Sequence, residues 1–455
     1  MLYEKAMEYV TPALILPVAL LYCLFMFFLY YLRALRPRPG TSEWIKMEVN
    51  KTELTLLSIR RPMDRSDIIP LALIAAAFAA LAFFRLDDSA VFSDFRTLLG
   101  NAIITLSVHA FGIAPLPWLF VKAVFGILML VVMYVFIKNM FGRTAAAVCG
   151  TLLLGFEFTH FTLSQSGSPE FDGVFFILLA YYFMYRHITT PPEAKFRKSL
   201  APLALSGLAV GFGCVSDWTA PFAFVGLALI IVIRLIHLRK HYKKNKTPGF
   251  GAYLVKTLLF TVLFFGVVPI AIYCLCCIPY VLSRGIALNP EMLLTPAIFD
   301  EVLKIAWDDL LLKISYINTG GIRSSLGVFG NPLVLWGGLV AMLLMVYRVF
   351  RYRDGKALFI LIGFLSQFAP FIPVPYITLM YHYFPCSLFL VLALAHIFDT
   401  ILGRRRGNYK LAIYGFTAGA GVVFALFYPL LAGISMPQWY FQFILQWIPE
   451  FLQFL

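Results

Sequence analysis

Apolar segments of roughly membrane-spanning length recur along almost all of this 455-residue chain, and no other feature constrains its fold as strongly. A bilayer core is about 30 Å thick, so an α-helix needs roughly 20 apolar residues to cross it. About twelve segments approach that requirement: 11–32, 68–84, 117–137, 144–160, 171–185, 201–216, 219–236, 255–282, 332–348, 357–374, 381–398 and 411–433. Composition agrees, with 61% hydrophobic residues, a mean hydropathy of +0.84 and only 13% charged residues. Soluble domains carry about 25% charged residues. The expected class is an all-α polytopic membrane protein with no soluble enzyme domain. The first segment, TPALILPVALLYCLFMFFLYYL, runs into LRALRPRPG rather than a small-residue cleavage site. It reads as a retained span and not as a signal peptide.

The net charge of +14 would suggest nucleic acid if its distribution did not explain it. Loops on the cytoplasmic side of membrane proteins are enriched in Lys and Arg. With the N-terminus outside, the inner loops are 33–67, 138–143, 186–200, 234–256, 348–356 and 399–410, and they hold 29 of the 37 Lys and Arg. Of the 23 acids, 15 fall on the other side. The basic clusters RPRP, KHYKKNK, RVFRYR and GRRRGNYK thus share one face and read as topology signals and anionic-lipid contacts. Nucleic acid is not an expected partner. This assignment puts both termini outside the cell.

The outer face collects the unusual chemistry. Asp87, Asp88, Asp94, Glu157, Glu170, Asp172, Asp217, Glu291, Asp300, Glu301, Asp308 and Asp309 all lie there. Ionisable residues near membrane depth are costly and tend to mark sites, although several of these are ordinary solvated loop carboxylates. The outer loops are 85–116, whose FRTLLGNAIITLSVHAFGI fits an interfacial amphipathic helix, and 283–330. The chain divides into an N-terminal helix (1–34), a short basic cytosolic segment (35–67), a membrane module (68–433) and an interfacial, Trp- and Phe-rich tail (434–455). The NKTELTLLS stretch of the basic segment fits a small strand. The seven cysteines sit in or beside spans without metal-ligand spacing and read as packing residues. No internal repeat marks the chain as a transporter of the repeat-built kind.

Six stretches together resemble one family. They are RSDIIPLALIAAAFAALAFFRLDDSAVF (65–92), FEFTHFTLSQSGSPEFD (156–172) running on as GVFFILLAYYFMYR, SGLAVGFGCVSDWTAPFAFVGL (206–227), GNPLVLWGG (330–338), LMYHYFPCSLFLVLALAHIFD (379–399) and FYPLLAGISMP (427–437) followed by QWIP. In this order they are similar to the protein O-mannosyltransferase-like membrane glycosyltransferases, most closely to bacterial members of the Firmicutes type. The resemblance implies a GT-C-like bundle of about 12 transmembrane helices with outer-face amphipathic helices in its loops. It also implies a bacterial plasma-membrane location, with the site on the outer face. The implied reaction moves a mannose-like sugar from a polyprenyl-phosphate carrier to an acceptor hydroxyl on a protein or glycan.

That chemistry needs a carboxylate to orient or deprotonate the acceptor. It also needs positive charge at the departing phosphate. The resemblance places the base in the first outer loop, at Asp88 or, second, Asp87. A solvated turn after Arg85 is the plainer explanation of that pair. Arg85, beside it, is the first outer cation available to a phosphate, ahead of Arg284 and Arg323. His160, Gln165, Asp172, Asp217, Trp218, Tyr381, His382 and Tyr383 are the remaining candidate substrate-binding residues. His160 also fits a packed interfacial histidine, and the Tyr381–Tyr383 group an aromatic belt. Gly207, Gly211 and Gly213 read as close helix packing.

The chain departs from the family at three positions where a cation is usual: it has Gly167, Asp217 and Tyr376. The long outer loop also lacks the histidine-bearing stretch expected ahead of Gly-Asn-Pro. No cofactor is required by the pattern, but Asp172 and Asp217 are a candidate pair for a divalent cation, Mg or Mn, that would bridge the phosphate instead. Alternatively, Asp172 caps the helix that begins at FDGVFF. The lost cations keep a second reading open, a degenerate family member that binds a lipid-linked sugar or a partner without transferring anything.

Overall fold

The computed structural model describes residues 62–83, 116–165, 170–191, 196–217, 219–246, 249–283, 330–372, 383–403, 409–432 and 439–440. All regular structure among these residues is helical. A 3₁₀ turn, Arg65–Asp67, leads into α1 (Ile68–Phe83). There follow α2 (Leu116–Phe141), α3 (Thr144–Gly155), α4 (Phe158–Gln165), α5 (Glu170–Ile188), α6 (Phe196–Ser216) and α7 (Phe222–Lys244). Helix α8 runs from Phe250–Val262 through a π-helical turn, Leu263–Val267, into Val268–Ser283. The last four are α9 (Pro332–Tyr352), α10 (Gly355–Phe368), α11 (Phe384–Leu402) and α12 (Tyr409–Leu431).

Every expected span among the described residues is helical, but they are not equally able to cross a bilayer. Eight helices are long and apolar enough, or nine if the bent pair α3–α4 counts as one broken span. Two of the twelve expected spans fall short. The α10 segment, Gly355–Phe371, is shorter than a span, and α5 has charged residues at both ends. The segment 11–32 lies outside the described residues, as do the amphipathic stretch of the 85–116 loop and NKTELTLLS.

The expected single span at 144–160 is corrected. It bends by 59° between α3 and α4. Glu157 causes the break by acting as the N-cap of α4, its carboxylate accepting the backbone N–H of His160 at 2.8 Å. Most of FEFTHFTLSQ therefore forms a short helix set at an angle to α3 rather than the end of a straight span. All eight residues of α4 are buried.

The core centres on α11, whose residues are buried on every side from Phe384 to Phe398. A helix apolar all round belongs at the centre of a bundle. The Gly207 and Gly211 expectation is met: a Cβ at Gly207 would collide with the Phe264 carbonyl, and one at Gly211 would come 3.1 Å from the Pro269 backbone. Helix α6 thus lies against the π-turn of α8, just where Pro269 removes a backbone donor.

Polar side chains close one end of the bundle. Lys138 bridges α2 to Asp67 at 2.8 Å, and Asp67 also accepts from Thr144 and Tyr134 at 2.8 and 3.1 Å. Arg143 meets Asp399 at 2.9 Å, and Arg234 donates to the Thr190 carbonyl at 2.6 Å. Between α9 and α10, Asp354 caps α10 through the backbone N–H groups of Lys356 and Ala357 while binding Arg348 at 2.8 Å and His396 at 2.9 Å. These links join the ends that the charge distribution had placed on one face.

Asp354 carries a pH prediction. Burial by itself would raise its pKa, but His396 and Arg348 outweigh burial and hold the carboxyl well below the usual range. Its folded pKa is therefore below its unfolded pKa. The stability it contributes is fully present above the ordinary carboxylate pKa of about 4 and drains away as pH falls below that. The melting temperature of the wild type should drop between about pH 4 and pH 3 more than that of Asp354→Asn, measured by scanning fluorimetry in lipid nanodiscs. Parallel curves would mean that the Arg348–Asp354–His396 link contributes no net charge stabilisation.

Candidate functional site

At the opposite end, six segments converge. Helix α1 arrives at Ala82 and Phe83, which pack on the first turns of α2: Ala82 lies with Leu119 and Ala123, and the Phe83 and Phe120 rings stand 5.3 Å apart. One turn of α2 further on is Lys122. Its ammonium pairs with the Asp172 carboxylate of α5 at 2.6 Å, and the residues are 7% and 0% exposed. A buried pair of this kind is costly to form and worse to break from one side. Asp172 thus neither caps α5, which starts at Glu170, nor needs a metal for its charge.

Another turn of α2 brings Gly126. Its carbonyl lies 3.2 Å from His160 Nε2, which must donate, so the neutral ring carries its proton there. The His160 ring lies between Phe171 at 5.8 Å and Phe384 at 6.2 Å, and these two phenylalanines stack at 5.9 Å. Gly126 has no room for a Cβ because Ser164 lies against it. Gln165, at the end of α4, donates to the Leu81 carbonyl of α1 at 3.4 Å. Of the buried polar atoms without a hydrogen-bond partner among the described residues, three lie on α4 and α5: His160 Nδ1, Thr162 Oγ1 and Asp172 Oδ1. Such orphans are rare in folded proteins and need an explanation.

Asp217 comes from the end of α6. Its carboxylate accepts the backbone N–H of Thr219 at 3.1 Å and the Thr219 hydroxyl, and its Cβ occupies the space a side chain at Gly173 would need. Asp217 therefore packs on Gly173, the residue after Asp172, across α5 and α6. The Asp172 and Asp217 carboxylates already serve Lys122 and Thr219, and among the described residues no group of three or more His, Cys, Asp or Glu is placed to hold a metal ion. Tyr383 enters at the head of α11, its ring 6.2 Å from Phe368. Asp87, Asp88, Arg85, Trp218, Tyr381 and His382 lie outside the described residues. So do the substituted positions Gly167 and Tyr376.

The Gly-Asn-Pro stretch ends the long outer loop at the same place. The Asn331 side-chain amide donates to the carbonyls of Phe156 and Ala420, each at 3.0 Å, while its oxygen caps α9 by accepting from Leu333 N–H at 3.1 Å. Pro332 takes the first helical position, where its missing N–H costs nothing. Gly330 is needed because a Cβ would press on Leu335 and come 2.9 Å from the Glu157 carboxylate, which also faces the Asn331 and Thr159 backbone N–H groups. Asn331 thus pins the α3–α4 break to α9 and α12.

Lys122 and the locking role of Asn331 escape the residue-type search. The signal for Lys122 was present: it is the only Lys, Arg, Asp or Glu between Arg96 and Lys138. An isolated charge in an apolar run asks for a partner.

A family model described as dolichyl-phosphate-mannose-protein mannosyltransferase matches residues 118–281, less than half of the chain. An uncharacterised protein of Aquifex aeolicus (strain VF5) is 28% identical over 109 residues, 24% of this chain. The match spans 22% of that relative's length. The S. cerevisiae protein O-mannosyltransferase Pmt1-Pmt2 complex bound to the sugar donor contains a chain with a TM-score of 0.68 at 12% identity, covering 85% of this chain and 93% of that one. ArnT from Cupriavidus metallidurans in the apo state is a looser match, with a TM-score of 0.44 at 13% identity over 89% of this chain and 74% of that one. The chain has the GT-C fold of the protein O-mannosyltransferase-like membrane glycosyltransferases and, across residues 118–281, the sequence pattern of that family.

Proposed function

We propose that this protein transfers a sugar, mannose-like by resemblance, from a polyprenyl-phosphate carrier to an acceptor hydroxyl on a protein or glycan. The reaction takes place at the membrane face away from the basic loops, the extracytoplasmic face of a bacterial plasma membrane. The acceptor oxygen attacks the sugar C1, the bond from C1 to the phosphate oxygen breaks, and polyprenyl phosphate leaves with the electron pair. Asp88, or Asp87, takes the acceptor proton. The observation that carries this reading is the buried Lys122–Asp172 pair, set beside the end of α1 from which the chain continues to Asp87 and Asp88.

In this reading Lys122 is the cation that meets the departing phosphate, with Arg85 assisting. Asp172 holds the ammonium in place when no donor is bound. The unpartnered His160 Nδ1 and Asp172 Oδ1 then have partners in the hydroxyls of the donor sugar. Lys122 answers the difficulty raised by Gly167, Asp217 and Tyr376, because a phosphate site need not draw its charge from those positions. The test is transfer by the purified full chain in nanodiscs, with a panel of radiolabelled polyprenyl-phosphate sugars. Asp88→Asn should lower turnover at least a hundredfold, the lower end for loss of a general base. Unchanged turnover would remove Asp88 from the mechanism. A loss in EDTA, restored by Mg or Mn, would favour the cation reading of Asp172 and Asp217. Saturable donor binding without turnover would support the degenerate member.

A further inference from the structure

The hairpin formed by α7 and α8 carries a cluster of exposed cations at the closed end. At that end Lys138, Arg143, Arg348 and, on α7 itself, Arg234 each have a protein oxygen as partner. On the hairpin, Arg239, Lys240, Lys243, Lys244, Lys246 and Lys256 are all exposed, and none makes an ion pair among the described residues. Nor is a partner available nearby in sequence, since the chain carries no Asp or Glu between Asp217 and Glu291.

Their placement on the helices indicates what they face. Val225, Leu229, Val232 and Ile236 form the exposed apolar stripe of α7, 69%, 47%, 51% and 50% exposed. Continued at helical spacing, the same stripe becomes Arg239, Lys240 and Lys243. On α8, Lys256 sits among the exposed Val255, Leu258 and Leu259. These cations are therefore the rim of the lipid-facing surface rather than a patch turned to the aqueous phase. Tyr242 bridges the two helices there, its ring 5.8 Å from Phe250 and 6.5 Å from Tyr253, an aromatic cluster suited to the headgroup layer. Long basic side chains reach from such positions to the phosphates while their stems lie along hydrocarbon.

We infer that this rim is a binding surface for anionic phospholipid. The partner is a lipid and not a soluble polyanion, because the charges continue an apolar, hydrocarbon-facing stripe. A Lys or Arg near an anionic membrane surface contributes about fivefold in local lipid partition, so a cluster of this size should enrich anionic lipid strongly.

The test is photo-crosslinking in nanodiscs of equal phosphatidylglycerol and phosphatidylcholine. A benzophenone amino acid replaces Ile236, at the last apolar position before the cations. A control replaces Leu343, 70% exposed on α9 and at similar remove from its helix end. Mass spectrometry of the adducts at position 236 should show at least threefold enrichment of phosphatidylglycerol over the bilayer ratio, with none at position 343. The Lys240→Gln, Lys243→Gln, Lys244→Gln, Lys256→Gln variant should return position 236 to the bilayer ratio while the adduct yield at position 343 stays constant, which also verifies that the variant is folded. Equal ratios at the two positions, or enrichment that survives the four substitutions, would overturn the inference. Added inorganic phosphate should leave the enrichment in place; displacement by it would mean a soluble anion site.

Discussion

Lys122→Met is expected to destabilise the protein by about 3–5 kcal/mol, because it leaves the Asp172 carboxylate charged and buried with no counter-ion. Asp172→Asn should cost a similar amount for the converse reason. The double variant Lys122→Met/Asp172→Leu should recover most of the loss, since replacing both members of a buried pair by apolar groups of similar size is often neutral or stabilising. Thermal midpoints in nanodiscs measure this cycle. Transfer activity is expected to behave differently: it should be absent from Lys122→Met and from the double variant alike, because neither retains the Lys122 ammonium for the leaving phosphate. A double variant that regains both stability and turnover would make Lys122 purely structural.

Asn331→Leu should be the other severe substitution, at about 3 kcal/mol or more. It removes both amide donations, to the carbonyls of Phe156 and Ala420, together with the cap on Leu333 N–H. A buried group left without its partner costs about 1–3 kcal/mol, and a lost N-cap about 1 kcal/mol. Asn331→Asp keeps the cap oxygen but offers the two carbonyls no N–H₂ and adds charge near Glu157. It should therefore be no better than leucine, although it is the closest replacement in shape. If hydrogen exchange at the α3–α4 break and at the head of α9 rises together in these variants, Asn331 is the lock between them. Exchange that rises only at α9 would reduce Asn331 to an ordinary helix cap.

The spans were legible because burial in lipid selects for apolar composition over lengths that any window detects, and ten of them reappear as helices close to the expected bounds. Gly207 and Gly211 were legible because only close backbone approach calls for such spacing. The break at Glu157 was not, since hydropathy passes smoothly through Phe156 and Phe158 and the carboxylate acts by capping. Of the candidate site, His160, Gln165, Asp172, Asp217 and Tyr383 were named from residue type and resemblance, and the described residues bring them to one end of the bundle. Asp172 was assigned the wrong company. A cap lies within a few residues, whereas its actual partner stands fifty positions earlier, on α2.

By itself, then, the sequence determined that the chain is a helical membrane bundle, which of its loops share a face, and roughly where polar chemistry collects, because these follow from local composition and from the charge bias of loops. Only the tertiary structure decided that Lys122 meets Asp172 and that Asn331 ties three helices. Each of these is a pairing between residues far apart in the chain, set by how helices lie against one another, and no local pattern of residues encodes which distant side chain will stand opposite.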